Sequence, residues 1–164
     1  MATMSVTPTA HISLDKDVVT TEIFIAAPRE RVFEALTDPK QATQWWGQSG
    51  QYHLTEFHID PRPGGKWSTT GISARMGNIK VEGEILEVDP PKRLAYTWNP
   101  SWMTRSTKVL WELENQNGGT FLKLTHTGFA GEEDQATNHS HGWNLAITWL
   151  QAFVERGETV ASRH

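Results

Sequence analysis

Trp143-Asn144-Leu145-Ala146-Ile147-Thr148-Trp149-Leu150-Gln151-Ala152-Phe153-Val154 is the stretch on which the reading of the whole chain turns. Trp143, Ala146, Ile147, Leu150, Phe153 and Val154 recur at the spacing of one helical face. Asn144, Thr148, Gln151 and Glu155 fall on the opposite side. Extended outward, the pattern predicts one helix over Glu132–Arg156, stopped by Gly157. A helix of ~22 residues spans ~33 Å, enough to cross a small domain. An apolar stripe of that length needs a large partner surface.

That surface is upstream, where the period switches from helical to two. Candidate strands are Val18–Ile25, Thr55–Ile59, Lys66–Thr70, Ile79–Val88, Arg93–Trp98, Thr107–Leu113 and Thr120–Thr127. They are rich in β-branched and aromatic residues. Turn signals separate the last six, among them Pro61-Arg62-Pro63-Gly64-Gly65, Met76-Gly77-Asn78 and Asn115 to Gly119. Short connections predict an antiparallel meander. Between the first strand and this meander, Ala27-Pro28 opens a short helix, with Val32, Phe33, Ala35 and Leu36 on its buried stripe. Asp38-Pro39 starts another that ends near Trp45-Trp46-Gly47.

The expected fold class is therefore α+β: a seven-stranded curved antiparallel sheet around a long C-terminal helix, with two short helices after the first strand. Such a sheet must cover its apolar face, and the terminal helix is the only element large enough. Residues 1–17, polar and Thr/Ser-rich, are expected to be a flexible tail, 18–157 the domain, and 158–164 a second short tail.

The 164 residues fit one domain. A formal net charge of −4 gives no footprint for nucleic acid or an anionic membrane. No apolar run approaches a membrane span, and the N-terminus lacks the pattern of a signal peptide. The chain has no cysteine, which removes thiolate chemistry and fits a cytoplasmic protein. Neither a metal nor a cofactor is expected. His139 and His141 lie about 200° apart on the helix and read as surface residues, and Gly64-Gly65 sits in a hairpin, outside the context of a phosphate loop.

The eight tryptophans are the unusual count. Alternation places Val109, Trp111 and Leu113 on one face with Leu122, Leu124 and His126. Trp67, Trp98, Trp111, His126, Trp143 and Ile147 together form a candidate ligand-binding set: an apolar wall with one placed polar group. His126 is also the candidate for proton transfer. Glu84 and Glu112 read as solvated strand residues, and Arg75 as a loop residue.

Ala27 to Phe33, Leu36-Thr37-Asp38-Pro39, Trp45-Trp46-Gly47, Arg62 to Trp67, Val81 to Val88, Pro91 to Trp98 and Gly142-Trp143 occur in an order and spacing that resembles the START-like, SRPBCC (polyketide cyclase-like) superfamily. The branch it is most similar to is that of the activator of heat-shock protein 90 ATPase homologues. The resemblance covers about Val18 to Val154. It implies a helix-grip fold and a cavity between sheet and helix, and leaves function open, since one fold hosts many activities. Binding of a small hydrophobic, aromatic or polycyclic molecule leads. A cyclase, dehydratase or hydrolase without metal and a stress-related co-chaperone are the alternatives. The chaperone partner is discounted, because the eukaryotic co-chaperone carries a separate N-terminal domain where this chain has a short segment. A homodimer is left open.

Overall fold

The computed structural model describes residues 9–12 and 17–163. The elements run β1 (Thr9–Ile12), β2 (Val18–Ile25), α1 (Arg29–Thr37), α2 (Pro39–Trp45), β3 (Gly47–Gln48), β4 (Tyr52–Ile59), β5 (Lys66–Ser73), β6 (Gly77–Asp89), β7 (Arg93–Pro100), β8 (Thr107–Gln116), β9 (Gly119–Thr127) and α3 (Glu133–Arg156), then a 3-10 turn at Val160–Ser162. The strands make one antiparallel sheet in the order β1-β2-β9-β8-β7-β6-β5-β4-β3. The expected α+β architecture is present, with nine strands among the described residues where seven were expected.

The two additional strands are short. β1 pairs with β2 from Thr9↔Glu22 to Ile12↔Val19, so the expected tail over 1–17 is in part the edge of the sheet. Its physical reason is Ile12, which packs against the core while the main chain satisfies β2. Residues 1–8 and 13–16 lie outside the described set. β3 is only Gly47–Gln48, paired with Tyr52 and His53. The expected tail over 158–164 is likewise structured through residue 163, where Arg163 is buried.

α1 buries Val32, Phe33, Ala35 and Leu36, and α2 is capped by the Asp38 side chain, which accepts from the Lys40 N–H. α3 ends at Gly157 in a left-handed conformation, φ 70°. Its buried face includes Trp143, Ala146, Ile147, Leu150 and Phe153, as periodicity predicts. The flank expected to face solvent behaves differently. Gln151 is buried and donates to the Phe24 carbonyl at 2.8 Å, and the Glu155 carboxylate accepts from the Ala26 N–H at 2.7 Å. Polar side chains on this flank tie the helix to the main chain at the end of β2.

Candidate functional site

α3 packs its backbone most closely on β1 and β2. Toward β5–β8 the distance is bridged by side chains, and most of these are aromatic. On β5, Trp67 faces inward and is 2% exposed; on β7, Tyr96 and Trp98 do the same, as does Trp111 on β8. Trp143 reaches down from α3, with ring centroids 4.9 Å from Trp98, 5.6 Å from Trp111 and 5.9 Å from Trp46. Trp67 continues the wall, 5.6 Å from Trp98 and 4.3 Å from Tyr96. Ile147, one turn along α3 from Trp143, is fully buried. The six residues singled out from sequence are thus gathered on one side of the helix, their rings meeting edge to face or tilted.

The indole N–H groups of Trp98, Trp111 and Trp143 and both nitrogens of His126 and His139 have partners. Trp143 donates its indole N–H to Nδ1 of His126 at 2.8 Å. That leaves Nε2 of His126 to carry the proton, and it lies 2.6 Å from the Thr107 hydroxyl, which in turn donates to the Trp98 carbonyl at 3.0 Å. Trp98 donates its own N–H to Nε2 of His139 at 3.1 Å, while Nδ1 of His139 bonds the Gln135 carbonyl at 2.8 Å. Trp111 donates to the Tyr96 hydroxyl at 2.9 Å. His126 and His139 meet edge to face with centroids 5.1 Å apart.

His139 therefore corrects the surface reading: it is buried and belongs to the aromatic wall. Its position four residues before Trp143 places it on the same helical face, a signal the sequence carried. Trp46, Tyr96 and Thr107 also join the set without having been singled out. Glu84 is exposed, Glu112 is half-buried and ion-paired with Arg93 at 2.9 Å, and Arg75 lies exposed in the β5–β6 turn. Among the described residues, no three potential metal ligands are grouped. A concavity of about 580 Å³ opens where His58, Lys66, Ser68, Glu82, Glu84 and Thr97 meet, and of the six candidate residues Trp67 alone reaches its lining.

Both histidines are held neutral. Burial pushes the pKa of His126 well below its ordinary value, and the adjacent His139 pushes it further the same way. Burial also lowers His139, against an opposing pull from its bond to Gln135. In the unfolded chain each titrates near ~6.5. Above that value neither state holds the extra proton and stability is unaffected. Below it the unfolded chain takes up protons that the folded form refuses, so stability falls as pH drops from there toward the depressed folded values. Urea unfolding between pH 8 and pH 5 is expected to show a plateau above about 6.5. Below it the slope is up to about 1.4 kcal/mol per pH unit for each histidine. A stability that stays level down to pH 5 contradicts this hydrogen-bond assignment.

The segment between β7 and β8 touches this wall through Trp102. Trp102, 36% exposed, stacks on His139 and donates to the Gln135 side chain at 3.1 Å. Arg105 fastens the segment to the Gly128 and Ala130 carbonyls just before α3.

The family model described as activator of Hsp90 ATPase homolog 1-like protein matches residues 26–155, which run from the end of β2 to the last turn of α3. The chain belongs to that family. The fold is shared with solved structures. Protein Ms6760 from Mycobacterium smegmatis is 22% identical, with 90% of this chain and 96% of that one covered and a TM-score of 0.78. An AHSA1-like protein from Aeromonas hydrophila is 20% identical, with 85% and 93% covered and a TM-score of 0.73. DynU16, a putative protein in the dynemicin biosynthetic locus, is 23% identical; 90% of this chain but 50% of that one is covered, with a TM-score of 0.71. At these identities the likeness shows the fold alone. No curated protein matches the chain. Among the described residues, no helix is long and apolar enough to cross a membrane.

Proposed function

We propose that this family member is a binding protein for a small planar hydrophobic molecule, aromatic or polycyclic, received between α3 and strands β5–β9. The observation that carries the reading is the composition of the helix–sheet gap. Trp67, Trp98, Trp111 and Trp143 span it, and two imidazoles and a phenol take up the N–H groups of the last three. Ligand sites are lined by hydrophobic and aromatic side chains with a few placed polar groups, and this gap has that composition. A biosynthetic locus as the source of DynU16 suits a small-molecule ligand.

Binding is favoured over turnover by the state of His126. Both its ring nitrogens are engaged and it is fully buried, so it has no free lone pair with which to act as a general base. The rings pack against one another across the gap. A ligand enters by displacing the Trp102 segment and sliding between Trp98 and Trp143.

The test is a panel of polyketides, flavonoids, sterols and fatty acids, read by tryptophan emission and by thermal unfolding. A planar aromatic member is expected to shift the emission saturably. At about a hundredfold excess over Kd it adds about 2.7 kcal/mol, or roughly 5 to 10 °C in Tm. If no compound changes either signal, or if fatty acids alone do, the reading is wrong.

A further inference from the structure

Arg163 lies in the stretch expected to be a tail, yet only 9% of it is exposed. Its guanidinium makes four hydrogen bonds, all to main-chain carbonyls. Nη1 donates to Trp45 at 2.7 Å and to Gly47 at 2.8 Å; Nη2 donates to Trp149 at 3.0 Å and to Glu158 at 3.2 Å. The group also sits 5.9 Å from the ring centroid of Trp149. A planar fork of N–H donors is the side chain that can reach several carbonyls at once. The Trp45 carbonyl ends α2 and lacks a partner within that helix. None of the four acceptors is a carboxylate; carbonyl dipoles take the hydrogen bonds, and the Glu158 carboxylate adds an electrostatic pull.

The placement of these carbonyls gives the cage its meaning. Trp45 and Gly47 bracket Trp46, whose ring stacks on Trp45 at 4.9 Å and leans on Trp143 at 5.9 Å. Trp149 belongs to α3, the helix that carries Trp143. The segment before Arg163 adds one more tie, the Ser49 N–H to the Val160 carbonyl at 3.3 Å. One side chain therefore joins the corner between α2 and β3 to the helix that forms the other wall of the aromatic set.

We propose that Arg163 is a positioning residue for the aromatic site: its guanidinium clasps the α2–β3 corner to α3 and so fixes Trp46 against Trp143. The clasp rests on the binding reading only for what the positioned rings receive. It exists in the unliganded protein and is testable there.

The experiment is near-UV circular dichroism of the ligand-free full chain, where packed indole rings dominate the signal. Arg163→Ala is expected to lose most of the tryptophan band while far-UV dichroism is kept. Millimolar ethylguanidinium chloride fills the vacated cage and restores the band, and sodium chloride at equal ionic strength does not. Arg163→Lys recovers part of it, because an ammonium cannot bracket Trp46 and reach α3 together. An unchanged band in Arg163→Ala overturns the proposal. A lost band that ethylguanidinium fails to restore also overturns it, and marks Arg163 as an anchor with no specific hold on Trp46. If Arg163→Ala does not fold, it is refolded with and without ethylguanidinium: recovery of the band with the additive supports the clasp, and no recovery overturns it. With no ligand present, failure here leaves the ligand panel's outcome untouched.

Discussion

Alanine in place of Gly83 costs about 3 kcal/mol, the upper end for overpacking, read as a fall in the urea midpoint. Gly83 on β6 lies opposite Trp67 on β5. A Cβ there would lie 1.9 Å from the Thr97 carbonyl oxygen and 2.6 Å from the Trp67 indole nitrogen. Those two atoms are bonded to each other at 2.9 Å, and the Thr97 hydroxyl takes the Glu84 N–H at 2.8 Å. The intruding methyl thus meets main chain and a buried ring, neither of which is the loose end of a flexible side chain. Relief requires β7 to move away from β6, which breaks the indole bond and pulls at the Thr97↔Lys108 pairing with β8. A variant within about 1 kcal/mol of the parent would mean that Trp67 does not sit over the Gly83–Thr97 junction.

Trp143→Ala removes about 3 to 5 kcal/mol through the cavity it leaves, because the ring is 3% exposed and walled by Trp46, Trp98, Trp111 and His126. A further 1 to 3 kcal/mol, roughly, comes from the Nδ1 of His126, left buried without its donor. Against the usual 5 to 15 kcal/mol of a domain, roughly, this approaches global unfolding. Trp143→Phe separates the two contributions. It keeps most of the volume and drops the N–H, so roughly the smaller loss remains. It also frees Nδ1 to accept a proton, so the histidine's folded pKa rises toward its unfolded value and the acid-side fall in stability becomes shallower than in the parent. Equal stability and an unchanged pH profile in Trp143→Phe would contradict the Trp143–His126 bond.

The seven long strands and α3 were legible from periodicity and from the turn signals between them, although β4 and β5 were each read three residues short, β4 across a register shift between Leu54 and Glu56. β1 and β3 were not legible, since four and two residues are too few to establish alternation; they are strands only because β2 and β4 offer them an edge. On α3, periodicity gives the angle of Gln151 and Glu155 about the axis. It does not say that the main chain at Phe24 and Ala26 is within reach of that flank. His139 was legible by its four-residue spacing from Trp143, but the eye pairs it with His141.

The site divides in the same way. Alternation put Trp111 and His126 on the inner face, with Trp98 on the neighbouring strand, and the helical period put Trp143 and Ile147 opposite them. How far the rings fill the gap is a matter of volume, which no pattern encodes. Arg163 had no signal at all, because a guanidinium that binds main-chain carbonyls leaves no trace in the identity of its partners.

The measurement that bears most directly on the aromatic set as a ligand site is a proton–nitrogen spectrum of the indole N–H groups, titrated with a compound from the panel that raises Tm. The N–H of Trp98 is bonded to His139 and that of Trp143 to His126. A planar guest between those rings must disturb both bonds. The N–H of Trp45 is bonded to the Ala35 carbonyl of α1, with the Trp46 ring between Trp45 and Trp143, and should not move. The account predicts that the Trp98 and Trp143 signals shift in step with saturation while Trp45 stays in place. If binding saturates with Trp98 and Trp143 unmoved, the ligand sits elsewhere, as in the concavity lined by His58 and Lys66, and the aromatic set is core and nothing more.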